Sequence, residues 1–328
     1  MYTVGVIGAG TILAHHREAF DRLRHELQLT AVCDLKREAA LTAASGFDAT
    51  VWTDYREMLT QARPDICLVA LPHFLHLPVG RAVLEAGSHL FMEKPLAMNV
   101  AECRELIELA ERRRLTVMVG HTHQYSPPLM KAKELIQSGV IGELKFISDN
   151  IYAYYNWEKR APWFLNREQA GAGCIMNTTP HQLDHLLYLT EVPASSVYAK
   201  TWCNRPEGNV ESDFCAMITF ADGTTAQVST LQGWHPGGDA TVECRVIGTR
   251  GALVLNPFQN SVRLCRDNTF ETIELEQEWS RIPLEWKELL EALKNGNAPR
   301  TDGYYGLEAV RLIEAICDSS ASGQVINL

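Results

Sequence analysis

"GVIGAGTILAHH", residues 5–16, is the stretch that decides the fold of the N-terminal part of the chain. The apolar run before Gly8 predicts a strand, and the two glycines predict a tight turn into a helix from Thr11. Gly8 allows the turn, and Gly10 lacks the side chain that would keep a phosphate away from the backbone. Leu13 stands where a third small residue usually packs helix against strand. We expect the phosphate-binding turn to be kept, with a slightly larger separation between the helix and the strand.

Short apolar runs alternate with helix-length segments through the first third of the chain. Such buried strands, separated by helices, predict a doubly wound α/β domain with a parallel sheet covered on both faces. Ligands bind beyond the carboxyl ends of the strands in this architecture. The residues predicted at those ends are Gly8, Asp34, Pro72, Glu93 and Gly120.

The pattern changes from about residue 144, where strand-like runs follow one another with few helices between them. The Asp222-Gly223 step is typical of a hairpin turn. This part predicts an α+β domain with a large, mostly antiparallel open sheet. We therefore divide the chain into domains at 1–122 and 123–328. The last helix, about 303–320, either stays in the second domain or packs back on the first.

Composition narrows the class of protein. The chain has 328 residues and a formal charge of -10, which favours two domains and gives no basic stripe for nucleic acid or an anionic membrane. Residues 2–8 are strand-like and no later segment reaches membrane-spanning length, so we expect a cytoplasmic location. The nine cysteines are widely spaced, which favours buried thiols over disulfides.

The second predicted strand ends in "AVCD" at Asp34. A carboxylate at this place accepts hydrogen bonds from both hydroxyls of an adenosine ribose and repels a 2′-phosphate, which favours NAD. The alternative is that Asp34 only caps the following helix. Lys36 and Arg37 leave NADP open as the cofactor.

Five further segments, in order, carry a resemblance that covers nearly the full length. They are "HLPVGRAVLEAGSHL" (76–90) with the following "EKP" (93–95), "GHTHQYSP" (120–127), "GAGCIMNTTPHQLDHLL" (171–187), "GTRGAL" (248–253) and "DGYYGLEAVRLIEAICDSSASG" (302–323). The chain resembles the Gfo/Idh/MocA family of sugar and cyclitol oxidoreductases. The resemblance implies a Rossmann domain, a nicotinamide cofactor, a polyhydroxylated substrate and a second domain whose open sheet forms a homodimer or tetramer contact.

The same resemblance implies the catalytic residues. Lys94 matches the active-site lysine and His181 matches the catalytic histidine, while Asn177 stands where many members have aspartate. Oxidising an alcohol needs a base for the hydroxyl proton and a partner for the developing alkoxide. We assign His181 as base and Lys94 as electrostatic partner, with the reverse assignment open. Because an amide carries no charge, either Asp184 or the substrate compensates, or the chemistry departs from the common pattern.

Cofactor and substrate contacts follow from the turn, the strand ends and the resemblance. The expected cofactor contacts are Gly8, Gly10, Thr11, Ile12, Asp34, Leu71, Pro72, His76, Glu93 and Lys94. The expected substrate contacts are His121, His123, Tyr125, Trp163, Asn177 and His181. Aromatic side chains suit sugar stacking, and the segment around Trp163 fits a packed loop equally well.

Paired histidines raise the question of a metal. His181 and His185 have the i, i+4 spacing of a metal-binding helix, but Gln182 stands where a zinc protease has glutamate. No third ligand is signalled, so we expect no metal.

The sequence thus predicts hydride transfer between nicotinamide and the secondary alcohol or ketone carbon of a sugar, cyclitol or sugar derivative. Two alternatives stay open. One is sugar elimination, hydrolysis or epimerisation with only transient oxidation by NAD. The other is a non-catalytic dinucleotide-binding regulator, which has no need of Glu93, Lys94 and His181.

Overall fold

The computed structural model describes residues 1–204, 208–233, 240–276 and 279–328. By their contacts, the residues form two compact units, 1–121 with 279–310 and 122–278 with 311–328. This grouping is not contiguous in sequence, unlike the division into 1–122 and 123–328 expected above. Among the described residues, no helix has both the length and the apolar character needed to span a bilayer.

The first unit is built on a six-stranded parallel sheet in the order β3-β2-β1-β4-β5-β6. Its strands are β1 (Tyr2–Ile7), β2 (Leu27–Cys33), β3 (Thr50–Trp52), β4 (Ile66–Val69), β5 (His89–Met92) and β6 (Val117–Val119). The intervening helices are α1 (Leu13–Arg22), α2 (Arg37–Ala44), α3 (Tyr55–Gln61), α4 (His76–Ala86) and α5 (Val100–Arg113). All four β4 residues are buried, as expected for a strand covered on both faces. The predicted doubly wound sheet is confirmed.

The helix after the first turn begins later than the sequence predicts. Residues Thr11 and Ile12 form a turn, and α1 starts at Leu13. The Leu13 side chain is 2% exposed and packs into the core of this unit. The leucine side chain is therefore accommodated in the core at the position where the usual pattern has a small residue.

The second unit is built on a nine-stranded sheet in the order β14-β13-β12-β11-β7-β10-β9-β8-β15, counted over its described residues. Its strands are β7 (Leu144–Tyr152), β8 (Ala194–Trp202), β9 (Asp213–Phe220), β10 (Thr225–Leu231), β11 (Thr241–Gly248), β12 (Ala252–Asn256), β13 (Ser261–Arg266), β14 (Thr269–Ile273) and β15 (Ile326–Asn327). Only β7 and β10 pair in parallel within that described part. The prediction of a large, mostly antiparallel sheet is confirmed.

Helices cover one face of the nine-stranded sheet. They are α6 (Pro127–Gln137), α8 (Cys174–Asn177) and α9 (Thr179–Thr190), and the short helix α7 (Arg167–Ala170) precedes α8. The side chains of β7 alternate, with Ile147, Asp149 and Ile151 buried on the helix side. Asp149 lies directly opposite Cys244 in the β7–β11 pair. One carboxylate therefore occupies an inward position between two isoleucines.

Two long helices follow, α10 (Arg281–Asn295) and α11 (Gly303–Ser322). Helix α10 belongs to the first unit. The centroid of the Trp286 ring lies 5.3 Å from that of Phe20 and 4.7 Å from that of Phe91. The indole Nε1 of Trp286 donates a hydrogen bond of 2.9 Å to His16 Nδ1. Apolar contact and a buried hydrogen bond thus hold this late segment to the N-terminal sheet.

Replacing Trp286→Phe tests this attachment. The phenyl ring keeps the contacts with Phe20 and Phe91 but leaves His16 Nδ1 buried without its donor, so we expect the free energy of unfolding to fall by about 1–3 kcal/mol. Urea unfolding followed by circular dichroism measures the change. The matched control is Trp279→Phe, a half-buried position with Arg22 over the ring. An equal loss in both variants would contradict the role of the hydrogen bond.

Candidate active site

The turn after β1 leaves room at its surface because of its two glycines. Gly8 has φ +102°, and a Cβ there would lie 2.2 Å from the Ala70 carbonyl oxygen, so the position requires glycine. A Cβ at Gly10 would meet no atom within 4 Å. A cleft of about 960 Å³, lined by α1 and α2, opens beside Gly10. The turn around Gly10, just before α1, therefore lies beside open space, as an anion-binding turn requires.

The Asp34 carboxylate ties this turn to the end of β2. Its Oδ2 accepts a hydrogen bond from Ala9 N and its Oδ1 accepts one from Lys36 N, both at 2.8 Å. The N-cap of α2 is Lys36, whose side chain makes no capping bond, so Asp34 orders the turn before the helix rather than serving as its N-cap. Each carboxylate oxygen has a second lone pair. Asp34 is thus positioned by the backbone and retains the capacity to accept ribose hydroxyls.

His76 links two of the predicted strand-end loops. Its buried ring lies between two carbonyl oxygens, 2.9 Å from Leu71 and 2.7 Å from Pro95. Burial lowers the pKa of His76. Pro72 begins the short helical turn before α4, and the Lys94–Pro95 peptide bond is cis. The structure therefore connects the loop after β4 with the backbone that follows Lys94.

Glu93, at the end of β5, is buried and accepts a hydrogen bond of 2.8 Å from His16 Nε2. Burial opposes its ionisation, but the bond from His16 and the charge of Lys94 hold the pKa of Glu93 below its usual value. A Cβ at Gly120 would lie 3.1 Å from this carboxylate, which explains the glycine. Sequence reasoning missed His16 and Trp286, because their partners lie 77 and 270 residues away.

Four buried or half-buried polar side chains meet in the second unit. His123 lies in the short helical turn Thr122–Tyr125, and its ring stacks on His181 with centroids 4.0 Å apart. His123 Nδ1 lies 2.9 Å from His185 Nε2, and His185 Nδ1 lies 2.6 Å from Asp149 Oδ2. The structure thus groups the expected residues His123 and His181, and adds His185 and Asp149 to them.

Asn177 and Asp184 occupy separate hydrogen-bonded positions. Asn177 ends α8, and its Nδ2 donates to the Tyr155 hydroxyl at 2.9 Å. Asp184 accepts from the backbone N and the Nε2 of Gln124 at 3.2 and 2.8 Å. Neither bond goes to His181. The carboxylate joined to the histidine group by hydrogen bonds is Asp149, which sequence reasoning missed although an acid at an inward strand position is a detectable signal.

The remaining expected substrate contacts lie in different surroundings. His121 belongs to the first unit, where its ring lies 5.4 Å from Tyr305. Tyr125 is 2% exposed. Trp163, in the turn Pro162–Leu165, stacks on Phe164 at 3.7 Å, a contact that fits the packed loop considered above.

A group of potential metal ligands exists among the described residues. One ligand atom each from Asp149, His185 and Cys244 lies within 4.8 Å of the others. Burial and the nearby Asp149 raise the pKa of the Cys244 thiol well above its usual value.

Comparison with known proteins identifies the family to which the chain belongs. The profile of the GFO/IDH/MocA oxidoreductase family, NAD-binding Rossmann fold, matches residues 2–121. The profile of the GFO/IDH/MocA C-terminal domain matches residues 129–254. The chain belongs to this family. The resemblance drawn from the motifs is confirmed, as is membership of an NAD-binding oxidoreductase family.

Individual relatives are moderately similar. The chain is 29% identical over 263 residues to 1-carboxy-3-chloro-3,4-dihydroxycyclo hexa-1,5-diene dehydrogenase of Comamonas testosteroni, covering 75% of this chain and 65% of the relative. It is 29% identical to D-glucoside 3-dehydrogenase of Escherichia coli K12, covering 58% and 54%. The matched stretches are thus less than two thirds of these relatives' lengths. Inositol 2-dehydrogenase/D-chiro-inositol 3-dehydrogenase of Lactiplantibacillus plantarum is 26% identical, covering 77% and 71%.

Solved structures share the fold. A levoglucosan dehydrogenase in complex with NADH superposes with a TM-score of 0.90 at 21% identity, covering 99% of this chain and 98% of the other. The aldose-aldose oxidoreductase of Caulobacter crescentus gives 0.89 at 22% identity, covering 100% and 99%. At these identities the likeness establishes the architecture.

Proposed function

We propose that this family member is an NAD-dependent dehydrogenase or reductase. It passes a hydride between nicotinamide and the secondary alcohol or ketone carbon of a sugar, cyclitol or sugar derivative. The observation that carries the proposal is the open Gly8–Gly10 turn with the Asp34 carboxylate fixed beside it. The named activities of the relatives supply the substrate class, and the scattered basic residues favour an uncharged polyol over a phosphorylated sugar.

The described residues fit the cofactor. The turn offers N–H groups to a pyrophosphate, and Asp34 offers acceptors to a ribose. When bound, NAD supplies the hydride acceptor for oxidation. The residues proposed to hold it are Gly8, Gly10, Thr11, Ile12, Asp34, Leu71, Pro72, His76, Glu93 and Lys94.

Asp34 is proposed to set the preference for NADH over NADPH through its negative charge. Asp34→Asn keeps the size of the side chain and removes that charge, so we expect a preference of about tenfold in dissociation constant to be lost. Titration with each cofactor, read by energy transfer from tryptophan, measures both constants. Asp54→Asn makes the same change at the N-cap of α3 and serves as the control. Tighter binding of NADPH by the wild-type protein would refute the assignment.

Lys94 and His181 are proposed to carry the acid–base chemistry. As the substrate carbon loses a hydride, its hydroxyl loses a proton to His181, and Lys94 stabilises the negative charge that develops on oxygen. The products are a ketone, the reduced cofactor and a proton on His181. Asn177, with its partner Tyr155, is proposed to bind a substrate hydroxyl. The other proposed substrate contacts are His121, His123, Tyr125 and Trp163.

Kinetics of single variants test these roles. With inositol, levoglucosan and a D-glucoside as substrates, His181→Ala should lower kcat about 100-fold or more, because the base is lost. Lys94→Ala should lower kcat and raise the substrate KM together. NADH affinity serves as the folding control, and the exposed His25→Ala as the matched variant.

Two results would contradict the proposed dehydrogenase mechanism. Losses under about threefold in both variants would remove the catalytic assignment. Conversion of a sugar without net NADH would instead favour transient oxidation, the alternative that an uncharged Asn177 makes attractive.

We propose that a second copy of the chain covers the face of the nine-stranded sheet opposite the helices. That face exposes Tyr198, Met217, Ile247 and Phe270 by 48%, 42%, 38% and 61%. Tyr198 and Met217 are direct neighbours in the β8–β9 pair. Neighbouring exposed apolar side chains such as these two are typical of protein contacts.

A charged residue on that face should dissociate the oligomer. Met217→Glu is expected to reduce the mass measured by light scattering toward that of one chain, because a buried unpaired carboxylate is costly. Met130→Glu, exposed on α6, is the control. A wild-type protein that is already monomeric would contradict the proposal.

We also propose that the chain works in a reducing compartment, the cytoplasm. Cys33, Cys67 and Cys244 are buried free thiols, which are typical of proteins kept in a reducing compartment. Counting thiols after unfolding without reductant checks this, and a disulfide found there would contradict it.

A further inference from the structure

Asp149, His185 and His123 form a chain of hydrogen bonds inside the second unit, and the chain ends beside His181. All three residues are at most 3% exposed. The two links measure 2.6 Å and 2.9 Å, and the stack of His123 on His181 is nearly parallel, with 13° between the rings. The expected site residues therefore adjoin two side chains to which no role has been given above.

The carboxylate sets the direction of every hydrogen bond in the chain. An ionised Asp149 only accepts, so His185 Nδ1 carries a hydrogen and donates it. With neutral rings, His185 Nε2 is then an acceptor, and His123 Nδ1 must be the donor to it. The lone pair of His123 is left on its Nε2. One buried charge thus selects the tautomer of two successive imidazoles.

The remaining contacts of Asp149 are with hydrogen-bond donors, as expected for a buried carboxylate that is held without a metal ion. Its Oδ1 accepts from Gln182 Nε2 at 3.0 Å. Gln182 is oriented independently, because its Oε1 accepts from Thr230 Oγ1 at 2.6 Å. The Cys244 thiol also hydrogen-bonds to Asp149. Donors from three directions satisfy the carboxylate, which makes its burial tolerable without a cation.

We infer that Asp149 and His185 are positioning residues that act on His181 through His123. They hold His123 in one tautomer and polarise its ring, so that the stacked His181 faces an electron-rich imidazole when it takes the substrate proton. The chain thereby supplies the negative charge that Asn177 cannot. The catalytic part of this inference rests on the proposed function, whereas the order of the hydrogen bonds does not.

Two general effects give the arrangement its strength. A cation above an aromatic face is attracted to the ring, and more strongly where water is excluded. Linked hydrogen bonds polarise one another in a low-dielectric interior. Both effects act on a protonated His181, and both weaken if the hydrogen bonds reverse.

The substitution Asp149→Asn should reverse the hydrogen bonds from residue 149 to His123 with almost no change in the shape of the side chain. Because Gln182 Nε2 is a fixed donor, the new amide oxygen faces it, and the amide NH₂ faces His185 Nδ1. His185 must then carry its hydrogen on Nε2 and donate to His123 Nδ1, which moves the His123 hydrogen to Nε2. Long-range ¹H–¹⁵N spectra of the histidine rings, recorded above neutral pH, should show both tautomers exchanged.

The same variant should lower kcat at least about tenfold on whichever of inositol, levoglucosan or a D-glucoside the wild type oxidises, by analogy with a reversed catalytic histidine. NADH affinity and the KM for NAD should change less than about twofold, because the first unit is untouched. Asp267→Asn, the same substitution in an exposed turn, should alter neither the spectra nor kcat. If Asp149→Asn does not fold, His185→Gln should abolish the tautomer preference of His123 and lower kcat to a similar extent.

Each outcome decides a different part. Unchanged tautomers would overturn the hydrogen-bond order, and exchanged tautomers with unchanged kcat would overturn the positioning role. A stoichiometric zinc ion in the purified protein, lost in Asp149→Asn, would show a metal site and also overturn the inference. If the wild type oxidises none of the three substrates, the proposed function fails for them, and the spectra alone decide the hydrogen-bond order.

Discussion

A buried carboxylate must be surrounded by hydrogen-bond donors, and this constraint organises the candidate site residues of both units. In the first unit Glu93 accepts from His16 at 2.8 Å, and in the second Asp149 accepts from His185 at 2.6 Å. Each carboxylate follows or lies within a sheet strand and reaches a helix through an imidazole. The histidines near the proposed chemistry are therefore oriented from within the core.

This constraint also clarifies the place of Asn177. An acid at that position would sit at the end of α8, beside Tyr155, whereas the amide there donates to the Tyr155 hydroxyl. Asp184 is engaged by Gln124. The carboxylate that is hydrogen-bonded to His185 is that of Asp149, which is held by β7. A side chain on a strand or a helix is held more precisely than one on a loop.

The sequence was sufficient for the architecture because the signals were local. Continuous apolar runs predicted the parallel strands, and the Gly8 turn predicted its own conformation. Leu13 shows where local reasoning reaches its limit, since whether a leucine fits depends on the space left by distant elements. Trp286 lies 270 residues from its partner His16, and no periodicity in either segment indicates that contact. Asp149 could have been noticed, since an acid at an inward position of an alternating strand demands a buried partner.

Two series of hydrogen bonds run through histidines, Trp286–His16–Glu93 in the first unit and His123–His185–Asp149 in the second. They differ in whether the position of the ring hydrogen can change. Trp286 can only donate, so the hydrogen on His16 is fixed on Nε2 and points toward Glu93. In the second unit the residue at the equivalent place is His123, whose ring nitrogens can donate or accept. The chain through His185 can therefore be reversed or carry an added proton, while the chain through His16 cannot. In the proposed mechanism His181 takes up the substrate proton, and the hydrogen-bonded residues beside it are of the kind that can respond to that proton, whereas His16 and Glu93 form a fixed pair.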